Sequence, residues 1–117
     1  VNLETVIYHN PRCSKSRQTL ALLQDKGISP QIVEYLKDGL DGSVLRGLIE
    51  MLKLKPSAIL RKKEDAYEES GLDEASSEAQ IIEAILKAPI LLERPIVVHG
   101  KQAALGRPPE NILSILK

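Results

Sequence analysis

Tyr8-His9-Asn10-Pro11-Arg12-Cys13-Ser14-Lys15-Ser16-Arg17 carries the one cysteine of the chain, at the point where an apolar, strand-like run gives way to a helical pattern. A thiol is easily ionised there. The first turn of a helix leaves backbone N–H groups without intrahelical partners, and its aligned peptide dipoles concentrate partial positive charge, so a thiolate is favoured over a thiol. Arg12, Lys15 and Arg17 are cationic neighbours in sequence, and His9 becomes one in space if its ring turns toward the sulfur. The same orphan N–H groups suit a tetrahedral oxyanion. One loop therefore offers both a nucleophile and an anion cradle.

A lone cysteine is more often a small buried hydrophobe than a nucleophile. Pro11, Arg12, Ser14, Lys15 and Ser16 make this loop a poor place for a core residue. The second position of a redox pair, three residues after Cys13, is Ser16. Without a resolving thiol the chain cannot close a disulfide on itself, so a redox cycle must borrow one from glutathione or from a partner. His9 has an ordinary reading as a polar strand-end residue, and His99 reads as an exposed residue of a hairpin turn. Arg61, Arg94 and Arg107 are surface charges when taken singly. Two of them have suggestive settings: Arg94 precedes Pro95 at a strand start, and Arg107 precedes Pro108 at a helix start. A proline before a strand in this topology is often cis, which bends the backbone toward the active loop. Forked guanidinium donors match two oxygens at once, so the three arginines together could clamp a phosphate-like oxyanion.

The elements that must position these groups follow from periodicity. Thr5 to His9 reads as a buried strand and Ser14 to Lys26 as a helix with Leu20 and Leu23 facing inward, stopped by Gly27. Gln31 to Tyr35 reads as a second strand, parallel to the first because a helix connects them in a right-handed βαβ unit. The middle is helical. Val44, Leu45, Leu48, Ile49 and Leu52 share one helix face; Pro56 starts a short helix to about Leu60; a further turn or two covers Asp65 to Ser70, stopped by Gly71. Ser77 with Gln80 makes a capping box for a helix with Ile81, Ile82, Ile85 and Leu86 on one side, ended by Pro89. Ile96-Val97-Val98, the turn His99-Gly100-Lys101, and Gln102 to Leu105 make an antiparallel hairpin. Gly106-Arg107-Pro108-Pro109 opens a last helix with Ile112, Leu113, Ile115 and Leu116 apolar. Periodicity alone supports a mixed α/β sandwich. The order, βαβ then helices then ββα, is the thioredoxin-like layout, with a helical insertion at about 40–92 between the second and third strands.

Composition narrows the function. With 117 residues and 43% hydrophobic content, the chain reads as a single soluble domain. Zero formal net charge argues against bulk nucleic-acid binding, which calls for a basic excess. Charge is uneven, with acids and no Lys or Arg from Glu64 to Glu83 and Lys53, Lys55, Arg61, Lys62 and Lys63 just before; this reads as solvated helix surface. One cysteine and two histidines exclude an internal disulfide and a thiolate-rich zinc site, so no metal is expected. A free thiol persists best in a reducing cytosol. Val1-Asn2-Leu3-Glu4-Thr5 lacks the basic region of a signal peptide, and no uncharged apolar run approaches the roughly 18 residues of a membrane span. The expected location is cytoplasmic, with no membrane partner.

The motifs resemble those of the glutaredoxin-coupled arsenate reductase family over nearly the whole chain. The resemblance rests on Tyr8 to Arg17, on Leu60-Arg61-Lys62 with Glu64 and Tyr67, and on Arg94-Pro95-Ile96-Val97-Val98 followed by Gly106-Arg107-Pro108. It implies a thioredoxin-like fold in which Cys13 is the nucleophile, Arg61, Arg94 and Arg107 grip the oxyanion, and His9 helps keep the cysteine ionised. Ser14 and its neighbours would fill the anion loop, with Ser16, Arg17 and Pro95 structural at the site. The implied substrate is arsenate, with no bound cofactor, glutathione as co-substrate and glutaredoxin as partner.

Two departures from the family pattern bear on the physiological role: better-known resistance enzymes carry a longer charged tail, and Asp65 stands where many relatives have proline. The alternatives are an Spx-like transcription regulator that binds RNA polymerase, or a reductase of another oxyanion or thiol adduct. Spx-type proteins often switch through a cysteine pair, which this chain lacks, and a pull-down of polymerase subunits separates the two classes.

Overall fold

A computed structural model describes residues 4–116; the reading of Val1-Asn2-Leu3 as unlike a signal peptide falls outside the described residues. The chain divides into two compact units, Val1–Asp38 with Arg94–Lys117, and Gly39–Glu93.

In the first unit, β1 (Thr5–Tyr8) leads through α1 (Ser14–Asp25) to β2 (Gln31–Val33) and the short α2 (Tyr35–Asp38). After the second unit come β3 (Ile96–His99), β4 (Gln102–Leu105) and a 3₁₀ helix over Pro109–Ile115. The sheet order is β2-β1-β3-β4, with β1 parallel to β2 and antiparallel to β3, and β3 antiparallel to β4. This is the mixed sheet that the βαβ…ββα pattern predicts. Ile7 stands opposite Val97, and both are fully buried against Leu23, Ile112 and Ile115. Each such aliphatic side chain stabilises the fold by about 1.5–3 kcal/mol.

Four local differences from the periodicity have physical causes. The buried residues of α1 are Ser16, Thr19 and Leu23, while Leu20 only packs against the core cluster. The two hydroxyls tolerate burial because they are hydrogen-bonded. Strand β2 ends at Val33, and Tyr35 instead opens α2, whose Lys37 and Asp38 N–H groups donate to Glu34 O. His99 closes β3 opposite Gln102, leaving a two-residue turn in which Gly100 supplies a left-handed φ of 63°. Its register opposite Thr5 brings its Nδ1 2.7 Å from Thr5 Oγ1, so His99 is half-buried and bonded rather than a free turn residue. The last helix is 3₁₀, and its buried residues are Pro109, Ile112 and Ile115. A three-residue repeat eclipses those side chains on one face, which leaves Leu113 and Leu116 only half-buried. The Arg94–Pro95 and Arg107–Pro108 peptide bonds are both cis.

Gly39–Glu93 contains α3 (Gly42–Leu52), a 3₁₀ turn at Pro56–Ile59, α4 (Asp65–Ser70), α5 (Glu78–Lys87) and a second 3₁₀ turn at Pro89–Leu91. Leu45, Leu48, Ile49 and Leu52 of α3 and Ile81, Ile82 and Ile85 of α5 are buried. Val44 and Leu86 are exposed, against the expectation that they join those faces. At about 100° per residue each lies roughly 90° from the centre of its apolar stripe. Gly71, at φ 75°, stops α4. Ser77 and Gln80 form the capping box at the start of α5, with Ser77 Oγ accepting from Gln80 N and Gln80 Oε1 accepting from Ser77 N. Ser77→Ala should therefore lower stability by about 1 kcal/mol. A urea titration checks it: the midpoint should fall with an unchanged slope. Among the described residues no helix is long and apolar enough to cross a membrane.

Candidate active site

Cys13 is the N-cap of α1, in extended backbone (φ −94°, ψ 123°). Its carbonyl accepts from Arg17 N at 3.0 Å and its N–H donates to Asn10 O at 3.0 Å. The loop before it is tied at two further points. Asn10 Oδ1 accepts from Arg12 N at 3.0 Å, the local turn that an Asx side chain makes, and Arg17 Nη1 donates to Pro11 O at 2.8 Å. Arg17 thus braces the loop with its charge turned to the backbone. The sulfur is left half-exposed, while Ser14 and Lys15, in the first turn, face solvent.

Below the loop lies a buried polar cluster. Ser16 is fully buried, its Oγ accepting from Asn10 N at 3.0 Å and sharing a 2.6 Å hydrogen bond with His9 Nδ1. His9 is itself buried at the end of β1, where its N–H donates to Val33 O. Burial pushes the His9 pKa below the usual imidazole value; Glu34 pulls it up and Arg17 down, and the net direction is down. Burial thus favours the neutral form of the ring. The contact the structure gives His9 Nδ1 is with Ser16 Oγ, and the backbone N–H of Ser16 in turn bonds the Cys13 sulfur.

The cationic partners come from the two Arg-Pro segments. Arg107 Nη1 lies 3.8 Å from Cys13 Sγ and donates to Arg94 O at 3.0 Å. Arg94 is buried, and Arg107 is exposed. Partial burial pushes the Cys13 pKa up. The Ser16 backbone N–H, the Arg94 side chain, the Lys15 backbone N–H and the Arg94 charge together outweigh that, and the thiol ends below its ordinary value. Helix-terminal N–H groups and one buried guanidinium therefore favour the thiolate.

Arg61, the third arginine of the expected clamp, belongs to Gly39–Glu93. There its Nε donates to Glu64 Oε1 at 3.1 Å and its Nη1 to Glu93 Oε1 at 3.2 Å. The structure brings Cys13, Ser16, Arg94 and Arg107 together; the ion pairs it gives Arg61 are with these two carboxylates. Lys62 in the same basic run pairs with Glu74, so part of the charge asymmetry read from sequence is self-neutralised surface.

Asn10 and Gly106 lie inside the motifs named from sequence but have no individual role there. Asn10 carries the turn signal of an Asn-Pro pair. Gly106 is buried next to Arg107, and a Cβ there would come within 2.5 Å of Thr19 Oγ1 and 2.7 Å of Pro95 Cγ. Only glycine fits that contact.

Comparison with known proteins extends the local geometry to the whole chain. A sequence model described as the ArsC family matches residues 8–115. The uncharacterized protein YfgD of Escherichia coli K12 is 47% identical over 94% of this chain and 94% of its own length. An arsenate reductase of Haemophilus influenzae is 42% identical over 97% of this chain and its full length. A solved arsenate reductase of Vibrio cholerae, 45% identical, superposes with a TM-score of 0.93, covering 98% of this chain and 99% of that one. The cysteine loop and both Arg-Pro segments lie within residues 8–115, and the chain belongs to the ArsC family.

Proposed function

We propose that this protein reduces arsenate to arsenite through a Cys13 adduct that glutathione and glutaredoxin resolve. The observation that carries the reading is a half-exposed thiol with a lowered pKa at the start of α1, within 3.8 Å of the Arg107 guanidinium. The names of the H. influenzae and V. cholerae relatives support the same substrate.

Arsenate sits at the N-terminus of α1, where the backbone N–H groups and Ser14 meet two of its oxygens and Arg94 and Arg107 offset its charge. The Cys13 thiolate attacks arsenic; an arsenic–sulfur bond forms and one oxygen leaves, protonated, as water. Glutathione thiolate then attacks the Cys13 sulfur. The electron pair of the arsenic–sulfur bond passes to arsenic, which leaves as arsenite, and Cys13 is left in a mixed disulfide with glutathione. A glutaredoxin thiol takes the glutathionyl group and regenerates the Cys13 thiolate. The need for outside thiols follows from Ser16, which stands where a resolving cysteine would. His9, Ser16, Arg17 and Pro95 hold the loop and the arginines in place. Phosphate fits the same cradle but is not reduced by thiols, so it acts as a competitor.

Arsenite formation measured with glutathione and glutaredoxin tests the proposal. The expected result is turnover that requires arsenate and stops when either thiol component is omitted. Absence of arsenite with both present would contradict arsenate as substrate, and unchanged turnover without glutaredoxin would contradict the donor.

A further inference from the structure

The arginines and the thiol lie on different segments of the first unit, and one buried side chain ties them together. Thr19 lies six residues after Cys13 on α1, about 9 Å along the helix, and is completely buried. Its hydroxyl donates to Lys15 O at 2.8 Å and, on a longer branch, to Gly106 O at 3.3 Å. Gly106 N in turn donates to Pro95 O at 2.9 Å. Its Cα packs so closely on Thr19 and Pro95 that a Cβ would meet Thr19 Oγ1 at 2.5 Å and Pro95 Cγ at 2.7 Å. Arg94 is the residue before Pro95, Arg107 the residue after Gly106, and Arg107 Nη1 donates to Arg94 O at 3.0 Å. The mechanism above makes no use of Thr19.

We propose that Thr19 is a positioning residue: through Gly106 it fixes Arg94 and Arg107 against the helix that presents Cys13. The proposal rests on Cys13 as the reacting thiol and adds to that reading the contact that sets the spacing between sulfur and guanidinium groups. Lys15 O already satisfies the hydroxyl within α1, so the contact that serves positioning is the longer one to Gly106 O. Displacements of about 1 Å at such a site can cost roughly 100-fold in rate.

Thr19→Val keeps the shape of the side chain and removes the donor; Thr19→Ser keeps the donor. Two readouts are required, and the first needs no arsenate: the pH midpoint of Cys13 alkylation by iodoacetamide, and KM against kcat for arsenate. In Thr19→Val the alkylation midpoint should move up by about half a unit or more, and KM should rise about tenfold with a smaller change in kcat. Thr19→Ser should restore both values. Wild-type alkylation and KM in a folded Thr19→Val protein would overturn the proposal. So would a Thr19→Ser protein that behaves like Thr19→Val, because the hydroxyl would then not be the operative group. If Thr19→Val does not fold, Thr19→Ala is measured in its place with the same expected shifts, and loss of folding in both would assign Thr19 to stability alone and overturn positioning. A wild-type protein without arsenate turnover would sink the substrate and leave the alkylation result to decide Thr19 independently.

Discussion

Cys13→Ser should lose arsenate-dependent, glutathione-coupled arsenite formation altogether, a fall of at least ~1,000-fold. A serine oxygen is protonated at neutral pH and is a poor attacking group. Even an arsenate ester on that oxygen would have no sulfur for glutathione to attack, so the two electrons would have no route to arsenic. The variant should still bind arsenate, because Arg94, Arg107 and the first-turn N–H groups are untouched. Protection of the Cys13→Ser protein against thermal unfolding by arsenate separates these two expectations. Full turnover in Cys13→Ser would place the chemistry elsewhere.

The second large effect divides between the two arginines. A hydrogen bond to a charged group contributes about 1.5–3 kcal/mol, so removing either guanidinium should raise KM for arsenate roughly 10- to 100-fold. Arg94 has a further role. Its side chain and charge help hold the Cys13 pKa down, so Arg94→Ala should also move thiol ionisation to higher pH. Arg107 lies 3.8 Å from the sulfur and is exposed to solvent, where water screens its charge. Arg107→Ala should therefore act chiefly on KM. Steady-state kinetics across pH distinguish them: a shifted acid limb for Arg94→Ala and an unshifted one for Arg107→Ala. Lysine should rescue neither fully, because it lacks the forked donor pair.

Much of this arrangement could be read from residue order because it depends on local rules. A strand-to-helix junction, a cysteine at its N-cap, a capping box at Ser77 and a Gly-centred hairpin are set by neighbours in sequence. The β1–β2 and β3–β4 pairings followed from a helical connection and a tight turn, whereas the antiparallel β1–β3 pairing that joins them has no local signal. What escaped depends on contacts between distant segments. Thr19 reads as an ordinary helix residue until Gly106, 87 positions away, supplies a second acceptor. His9 looks like a candidate cation until burial beside Ser16 makes the neutral ring the favoured form. His99 reads as an exposed turn residue until the register sets it opposite Thr5, 94 positions back. Arg61 carries the right charge for an oxyanion, yet sequence does not announce that Glu93, 32 positions on, pairs with it beside the local Glu64.

All of the proposed chemistry depends on Cys13 being ionised near neutral pH. As the only cysteine in the chain, it can be titrated directly by the ultraviolet absorbance of its thiolate. Below its pKa the sulfur is a thiol and inert; above it the sulfur is a thiolate. A lowered pKa therefore moves both the absorbance step and the rise in arsenate turnover to lower pH than for a free cysteine. The expected result is a single transition clearly below the ordinary value of about 8.5, which moves upward in Arg94→Ala. A transition at or above that ordinary value would contradict an activated thiolate at the start of α1.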